Sequence, residues 1–403
     1  MRVNDRARKA VFIGTLCSVS YFAVYIARNA LSAVTPQMLE GGFSEAYIGK
    51  ISSVYFIVYA IGQLINGFIG ERIKARYMIS LGLILAGIFS FIFPMISDSQ
   101  YGAIAVYGMM GFFLAMIYGP MTKVVAENVE PIYAPRCSIG YELASFLGSP
   151  SAGILAVFLS WQGVFISSSA VLMLMGCVAF FVFLAFERKG FITYGQYTAV
   201  KQGRSKVKVL FRHQIVKFCL IAILTGVVRT SVVFWLPTYL SQHLAMSAQT
   251  SAAVFSAVTF IMATITFITV FIYERLKRDM DKTILLMFSI SAVAFTSVYF
   301  VKITALNIIL LVIAIMSSIG ASTMMWSRYC PGLRDTGMVS TVTGFLDFLS
   351  YTAAAVANLV FANAVTSIGW GRLILVWTGL MAIGVVVSLP YKRIFKSSDK
   401  KSL

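Results

Sequence analysis

The sequence predicts an all-α integral membrane protein, with twelve transmembrane helices in two pseudo-symmetric six-helix bundles and both termini cytoplasmic. Three observations predict it. The composition is 59% hydrophobic and only 12% charged, too little polar surface for a soluble chain of 403 residues. Twelve apolar stretches follow one another across short loops, each near the about 20 residues that a bilayer core demands of a helix. An unusual arrangement then occurs twice, because VYIARNALSAVTPQML and TGVVRTSVVFWLPTYL each place a proline eight residues after an arginine. The pairs are Arg28 with Pro36 and Arg229 with Pro237; 229 − 28 and 237 − 36 both give 201, half of the chain.

The spans fall at about 10–37, 46–70, 77–96, 101–126, 136–159, 162–186, 214–241, 249–274, 282–301, 304–326, 337–363 and 370–391. The first, seventh and eleventh are long enough to tilt. Lysine and arginine collect in MRVNDRARK before span 1, ERIKAR between spans 2 and 3, ERLKRDMDK between spans 8 and 9, and YKRIFKSSDKKSL at the end. Loops of the other side, such as SDSQYG and SQHLAMSAQT, have almost none. The positive-inside rule therefore places both termini in the cytoplasm. The net charge of +18 serves topology and attraction to anionic headgroups of the lipid bilayer, and no basic-aromatic surface of the nucleic-acid kind accompanies it. The first apolar stretch is too long for a cleavable signal and more of the same follows it, which predicts a multi-pass protein of a cell membrane, the bacterial cytoplasmic membrane. The longest polar interval, Glu187 to Gln214, separates an N-terminal bundle (1–186) and a cytoplasmic linker (187–213) from a C-terminal bundle with a short basic tail (214–403).

Further echoes support the repeat. FIGERIK follows span 2 and FIYERLK follows span 8, at 271 − 68 = 203, and a weaker pairing sets Gly140 and Glu142 of span 5 beside Gly344 and Asp347 of span 11. Parallel six-helix repeats are the build of secondary transporters that bind substrate near the midplane. An arginine at bilayer depth costs from about 3 to over 10 kcal/mol, so it faces a partner or a wet cavity. Two arginines related by a pseudo-twofold repeat point at its axis together. Tyr21, Tyr25 and Arg28 are spaced i, i+4, i+7 and share one helix face. The guanidinium fork suits bidentate capture of a phosphate or carboxylate, although a structural ion pair with an internal acid is the competing reading. Cys17, Cys137, Cys177, Cys219 and Cys330 lack metal-ligand spacing and read as packing residues, and His213 and His243 stand in loops. No nucleophile-base set or phosphate-cradling glycine loop is present, so neither an enzyme nor a cofactor is expected.

NGFIGERIKARY resembles the loop signature after helix 2 of the major facilitator superfamily, and SFLGSPSAG resembles its helix-5 signature of small residues and proline. The resemblance implies the major facilitator fold and a transporter working by alternating access, functional as a monomer. Gly67, Glu71 and Arg72 would then gate the cytoplasmic side together with Glu274 and Arg275; Glu71 stands where the family usually has aspartate. Within the superfamily the chain is most similar to the organophosphate:phosphate antiporters, which include glycerol-3-phosphate and hexose-6-phosphate transporters. YFAVYIARNALSAVTPQM, VVRTSVVFWLPTYL and GFLDFLSY carry that likeness. It implies a small organic anion, a phosphorylated metabolite exchanged for inorganic phosphate, held by Arg28 and Arg229 with Tyr21, Tyr25 and Tyr351 as wall residues.

This chain departs from that family at several places. Asn29 follows the helix-1 arginine where lysine is common, Gln63 replaces a helix-2 lysine, the helix-5 histidine is missing near Glu142, and Asp347 stands where a small neutral residue is usual. Cations are lost and acids gained, so Glu142 and Asp347 become candidates for proton coupling or charge balance. The alternative is a proton-coupled symporter of an organic carboxylate, similar to the anion:cation symporters. That group typically has an acid before the helix-1 arginine, where this chain has Ala27. A third reading, a membrane sensor of sugar phosphate, follows from sensors within the phosphate-transporter group.

Overall fold

The structure, a computed structural model, describes residues 3–70, 73–130, 133–194, 214–330, 333 and 339–389. Among these, all regular structure is helical. The helices are α1 (Val3–Glu40), α2 (Glu45–Gly70), α3 (Ala75–Ile96), α4 (Gln100–Leu114 and Tyr118–Asn128), α5 (Ala134–Phe158) and α6 (Trp161–Arg188). They continue as α7 (Ile215–Gln242), α8 (Ala248–Met262 and Ile265–Arg275), α9 (Met280–Phe300) and α10 (Thr304–Tyr329). A last continuous stretch, Val339–Ser388, is folded into α11 and α12 at Gly369, whose φ of 77° only glycine adopts without strain. Among the described residues, ten helical stretches are long and apolar enough to cross a membrane. Dividing the last at Gly369 and adding α5 gives the twelve spans read from the sequence.

Local breaks have local causes. Pro120 has no N–H for the carbonyl of Met116, and α4 passes through a turn at 115–117 held by bonds such as Met116 N–H to the Phe113 carbonyl (3.1 Å). Pro36 and Pro237 both lie inside their helices. Their surroundings differ, because α1 is α-helical past Arg28 whereas Val227–Val232 of α7 is a π-helical turn. The Arg-to-Pro spacing is the same in both halves, so the wide turn involves no inserted residue. At 38 residues and about 1.5 Å per residue, α1 is longer than the hydrocarbon core. Outward-facing Phe158, Phe181, Phe267 and Phe300 present apolar surface suited to lipid.

The chain separates into two compact units. The first comprises Met1–Lys201, Phe234–Ala263 and Ala354–Ser367: α1 to α6 with one end each of α7, α8 and α11. In it α1 packs on α5, α3 on α6, and the first segment of α8 on α5. Small residues set the closest approaches, as at Gly148, where an added Cβ would lie 2.8 Å from the carbonyl carbon of Tyr25. The second unit comprises Gln202–Val233, Thr264–Ala353 and Ile368–Leu403. Here α9 packs on α10 and α10 on the second segment of α8. Gly226 of α7 lies so close to α11 that an added Cβ would stand 2.7 Å from the Ser350 carbonyl oxygen.

Candidate functional site

Arg28 sits on α1 inside an aromatic enclosure. Its guanidinium carbon lies 5.2 Å from the ring centre of Tyr25, 5.7 Å from Phe56 and 4.9 Å from Tyr59. Each such contact is worth about 0.5–2 kcal/mol according to its desolvation, so three rings offset part of the cost of a charge at this depth. The enclosure is itself braced. Tyr21 packs on Tyr25 (5.0 Å), Tyr118 (5.5 Å) and Tyr141 (6.2 Å), and Tyr55 stacks on Tyr59 (6.0 Å) and meets Tyr107 (4.9 Å). Tyr21 and Tyr25 thus share a face with Arg28, as their spacing requires. Asn29, which stands where a lysine was expected, donates its amide to the Tyr25 carbonyl at 2.7 Å, within its own helix. Gln63 follows Phe56 and Tyr59 at i+7 and i+4 and lies on the same stripe of α2.

The sequence reading missed Phe56, Tyr59, Tyr118 and Tyr141. A signal existed for the first two, since VYFIVYAIGQ places Phe56, Tyr59 and Gln63 at i, i+3, i+7. Tyr118 and Tyr141 carry no such mark, because only the folding of α4 and α5 against α1 brings them to Tyr21.

In the second unit Arg229 is carried on the π-helical turn, a conformation often found where a helix must redirect a functional side chain. Its Nη2 lies 3.8 Å from Asp347 Oδ1, with the two side chains 31% and 32% exposed. Its guanidinium carbon is 5.8 Å from the ring centre of buried Tyr351. Asp347 and Tyr351 are one turn apart and share a face of α11. Three rings thus face Arg28, and a carboxylate and a ring face Arg229.

The two helix crossings explain these neighbours. Tyr25 meets Gly148 where α1 crosses α5, and Gly226 meets Ser350 where α7 crosses α11. Each arginine follows its crossing residue by three positions. Asp347 precedes Ser350 by three, and the residue that precedes Gly148 by three is Ser145. The crossings thus pair Asp347 with Ser145, which corrects the weaker sequence echo between Asp347 and Glu142. Glu142 belongs to α5, and its side chain lies outside the described residues.

Of the gating candidates, Gly67 belongs to the last turns of α2, and Glu71 and Arg72 lie outside the described residues. Glu274 and Arg275 are exposed at the end of α8, where Arg275 lies over the Phe271 ring at 5.1 Å. Among the described residues neither enters an ion pair. The same basic end holds other pairs. Arg76 Nη1 donates to Glu187 at 2.9 Å, Tyr194 donates to the second oxygen of Glu187 at 2.9 Å, and the Thr193 N–H donates to Asn128 Oδ1 at 2.8 Å. In the second unit Lys217 pairs with Asp281 at 2.9 Å.

The Major Facilitator Superfamily model matches residues 17–357. The chain belongs to the Major Facilitator Superfamily. It is a transporter of that superfamily and not an enzyme. Solved superfamily structures share the fold: a bacterial homologue of the human lysosomal transporter Spinster (TM-score 0.75, 12% identity, 94% of this chain and 96% of that one) and a D-xylose-proton symporter (TM-score 0.73, 12% identity, 94% and 97%). Among curated relatives, the glycerol-3-phosphate transporter of Bacillus subtilis is 24% identical over 40% of this chain and 37% of its own. This chain therefore matches well under half of that relative's length. A hexuronate transporter of Bacillus subtilis is 23% identical over 82% of both chains. A membrane sensor protein of Escherichia coli is 28% identical over 24% of this chain and 22% of its own.

Proposed function

We propose that this superfamily member carries a small organic carboxylate bearing hydroxyl groups, coupled to protons, with Arg28 and Arg229 gripping the anion and alternating access moving it. The observation that carries this reading is the Arg229–Asp347 pair at 3.8 Å. A carboxylate beside one arginine cancels a charge, which suits a monoanion better than a doubly charged phosphate ester. It also supplies a group whose protonation releases Arg229 to the substrate. The tyrosine hydroxyls near Arg28 are suited to a hydroxylated ligand, and a hexuronate transporter is matched across 82% of the chain. Tyr21, Tyr25, Tyr351 and Gln63 act as wall residues, Asp347 balances charge, and Glu142 is a second candidate for proton coupling.

A second reading is exchange of a phosphorylated metabolite for inorganic phosphate, favoured by the shorter match to a glycerol-3-phosphate transporter. Uptake into proteoliposomes separates the two. A labelled sugar acid that accumulates under an inward proton gradient, with no phosphate inside, supports symport. Uptake of labelled phosphate that requires internal phosphate or phosphate ester, and ignores the proton gradient, supports exchange.

A further inference from the structure

Positive charge is scarce at one end of the helices. The segments that join them there, 41–44, 97–99, 159–160, 243–247, 301–303 and the bend at Gly369, hold a single lysine, Lys302, and no arginine. Topology does not call for a cation on this side. Lys302 is exposed just past the end of α9. Exposed Arg372 stands beside that end in the first turn of α12, where a Cβ on neighbouring Gly371 would lie 3.7 Å from the Tyr299 ring of α9. A cation after a helix C-terminus suits the helix dipole, but one in a first turn opposes it, so Arg372 in particular needs a reason. Among the described residues neither enters an ion pair.

Next to Lys302 an open groove of about 350 Å³ runs between α9 and α10. Ser289, Val293 and Ser297 recur every four residues along one wall, with Leu310 and Ile313 opposite. The wall is apolar despite its serines, because Ser289 Oγ donates to the Leu285 carbonyl at 2.8 Å and Ser297 Oγ to that of Val293 at 2.9 Å, inside their own helix. Asn307 of α10 holds the end nearest Lys302 by donating to the Val298 and Val301 carbonyls at 3.1 and 3.0 Å. The first unit fills the equivalent helix pair with rings, Phe89 of α3 stacking on Phe113 of α4 at 5.5 Å. In that register α9 and α10 carry Val293 and Ser317, since 293 − 89, 317 − 113 and the helix starts 304 − 100 all give 204. The groove is thus peculiar to the second half.

Val293 and Ile313 are exposed, so in a bilayer this groove faces lipid. From Ser289 to Ser297 it spans about 12 Å, close to one leaflet's share of a hydrocarbon core of about 30 Å. We infer that the groove seats an acyl chain of one anionic phospholipid, whose phosphate is met by Lys302 and Arg372 at the end of α9. The chain supplies fit and the two cations select the headgroup. This inference does not depend on which anion is carried.

The experiment titrates full-length protein in detergent with phosphatidylglycerol or phosphatidylcholine of identical chains and counts retained lipids by native mass spectrometry. One phosphatidylglycerol should be retained in preference to phosphatidylcholine. Lys302→Ala and Arg372→Ala should each lower that preference about fivefold, the effect of one basic residue near a membrane surface. Val293→Phe, which puts back the ring of the first half, should remove the retained lipid altogether while the melting temperature stays near wild type, because the position faces lipid. Lys50→Ala, a cation of α2 towards the same end of the helices, is the control and should change nothing. Equal retention of the two lipids overturns the inference, as does wild-type retention in Val293→Phe or in the Lys302→Ala, Arg372→Ala double variant. A dimer that Val293→Phe dissociates would assign the groove to a second copy of the chain and overturn it too.

Discussion

Gly226 of α7 lies against the backbone of Ser350 in α11, three residues before Arg229 on one helix and three after Asp347 on the other. The crossing, more than any feature of the arginine itself, decides which acid Arg229 meets. In the other half Tyr25 crosses Gly148, so the repeat keeps the crossing while exchanging the helix that supplies the glycine. Both glycines are there for space, and a methyl group at either would overlap main-chain atoms.

Gly226→Ala and Gly148→Ala should therefore both destabilise the protein, by about 1–3 kcal/mol for overpacking. Gly226→Ala should also lose accumulation under a proton gradient, because moving α7 away from α11 moves Arg229 from Asp347. Gly379→Ala is the control, since its Cβ would meet nothing within 4 Å. Thermal melting in detergent checks the series, and equal melting curves for Gly226→Ala and Gly379→Ala would refute the crossing argument.

Arg28→Lys and Arg229→Lys keep the charge and lose the planar fork. Losing a charge-assisted hydrogen bond predicts a fall in anion affinity of about 10- to 100-fold in each variant. Binding of labelled sugar acid and of labelled phosphate to purified protein reads this directly. Wild-type affinity in both lysine variants would remove the arginines from the site.

The inner-face cluster gives a pH prediction outside the membrane spans. Burial, then the hydrogen bond and charge of Glu187, push the Tyr194 hydroxyl well above its ordinary value of 10.0. A raised folded value means that this stabilisation is fully present below about pH 10. It declines as pH rises through the folded value. Melting temperature should drop more steeply above pH 10 in wild type than in Tyr194→Phe. Glu187→Gln should lower stability at neutral pH, because Arg76 is only 9% exposed and would be left without its counter-charge.

Much of the architecture was legible because the bilayer allows few solutions. Twelve apolar stretches of span length must be helices, and the lysines and arginines order their ends. Arg28 and Arg229 stood out through cost, since a guanidinium in an apolar run needs a reason. Phe56, Tyr59, Tyr118 and Tyr141 were not, because aromatic residues are unremarkable in apolar helices and become a set only when α1, α2, α4 and α5 meet. Likewise the turn at Val227–Val232 has no sequence mark, its Arg-to-Pro spacing being identical to that of the α-helical counterpart.

Asp347 carries the sharpest test of coupling. Its side chain and that of Arg229 are each about one-third exposed, so the pair contributes about 0–1 kcal/mol to stability, where a fully buried pair would lose about 3–5 kcal/mol on breaking. Asp347→Asn should therefore fold and melt close to wild type. Its effect belongs in transport. An ionised Asp347 competes with the substrate carboxylate for Arg229, and a protonated one does not. Wild-type sugar-acid uptake should rise as pH falls into the range where Asp347 gains its proton. Asparagine imitates the protonated state at every pH, so Asp347→Asn should bind the anion at neutral pH as well as wild type does in acid, with a flattened pH profile and lost accumulation under a proton gradient. Glu142→Gln, changed in parallel, tells whether the second acid shares the load. A variant Asp347→Asn that keeps both the wild-type pH profile and gradient-driven accumulation would exclude this carboxylate from coupling, and phosphate-linked exchange would then be the better account of the two arginines.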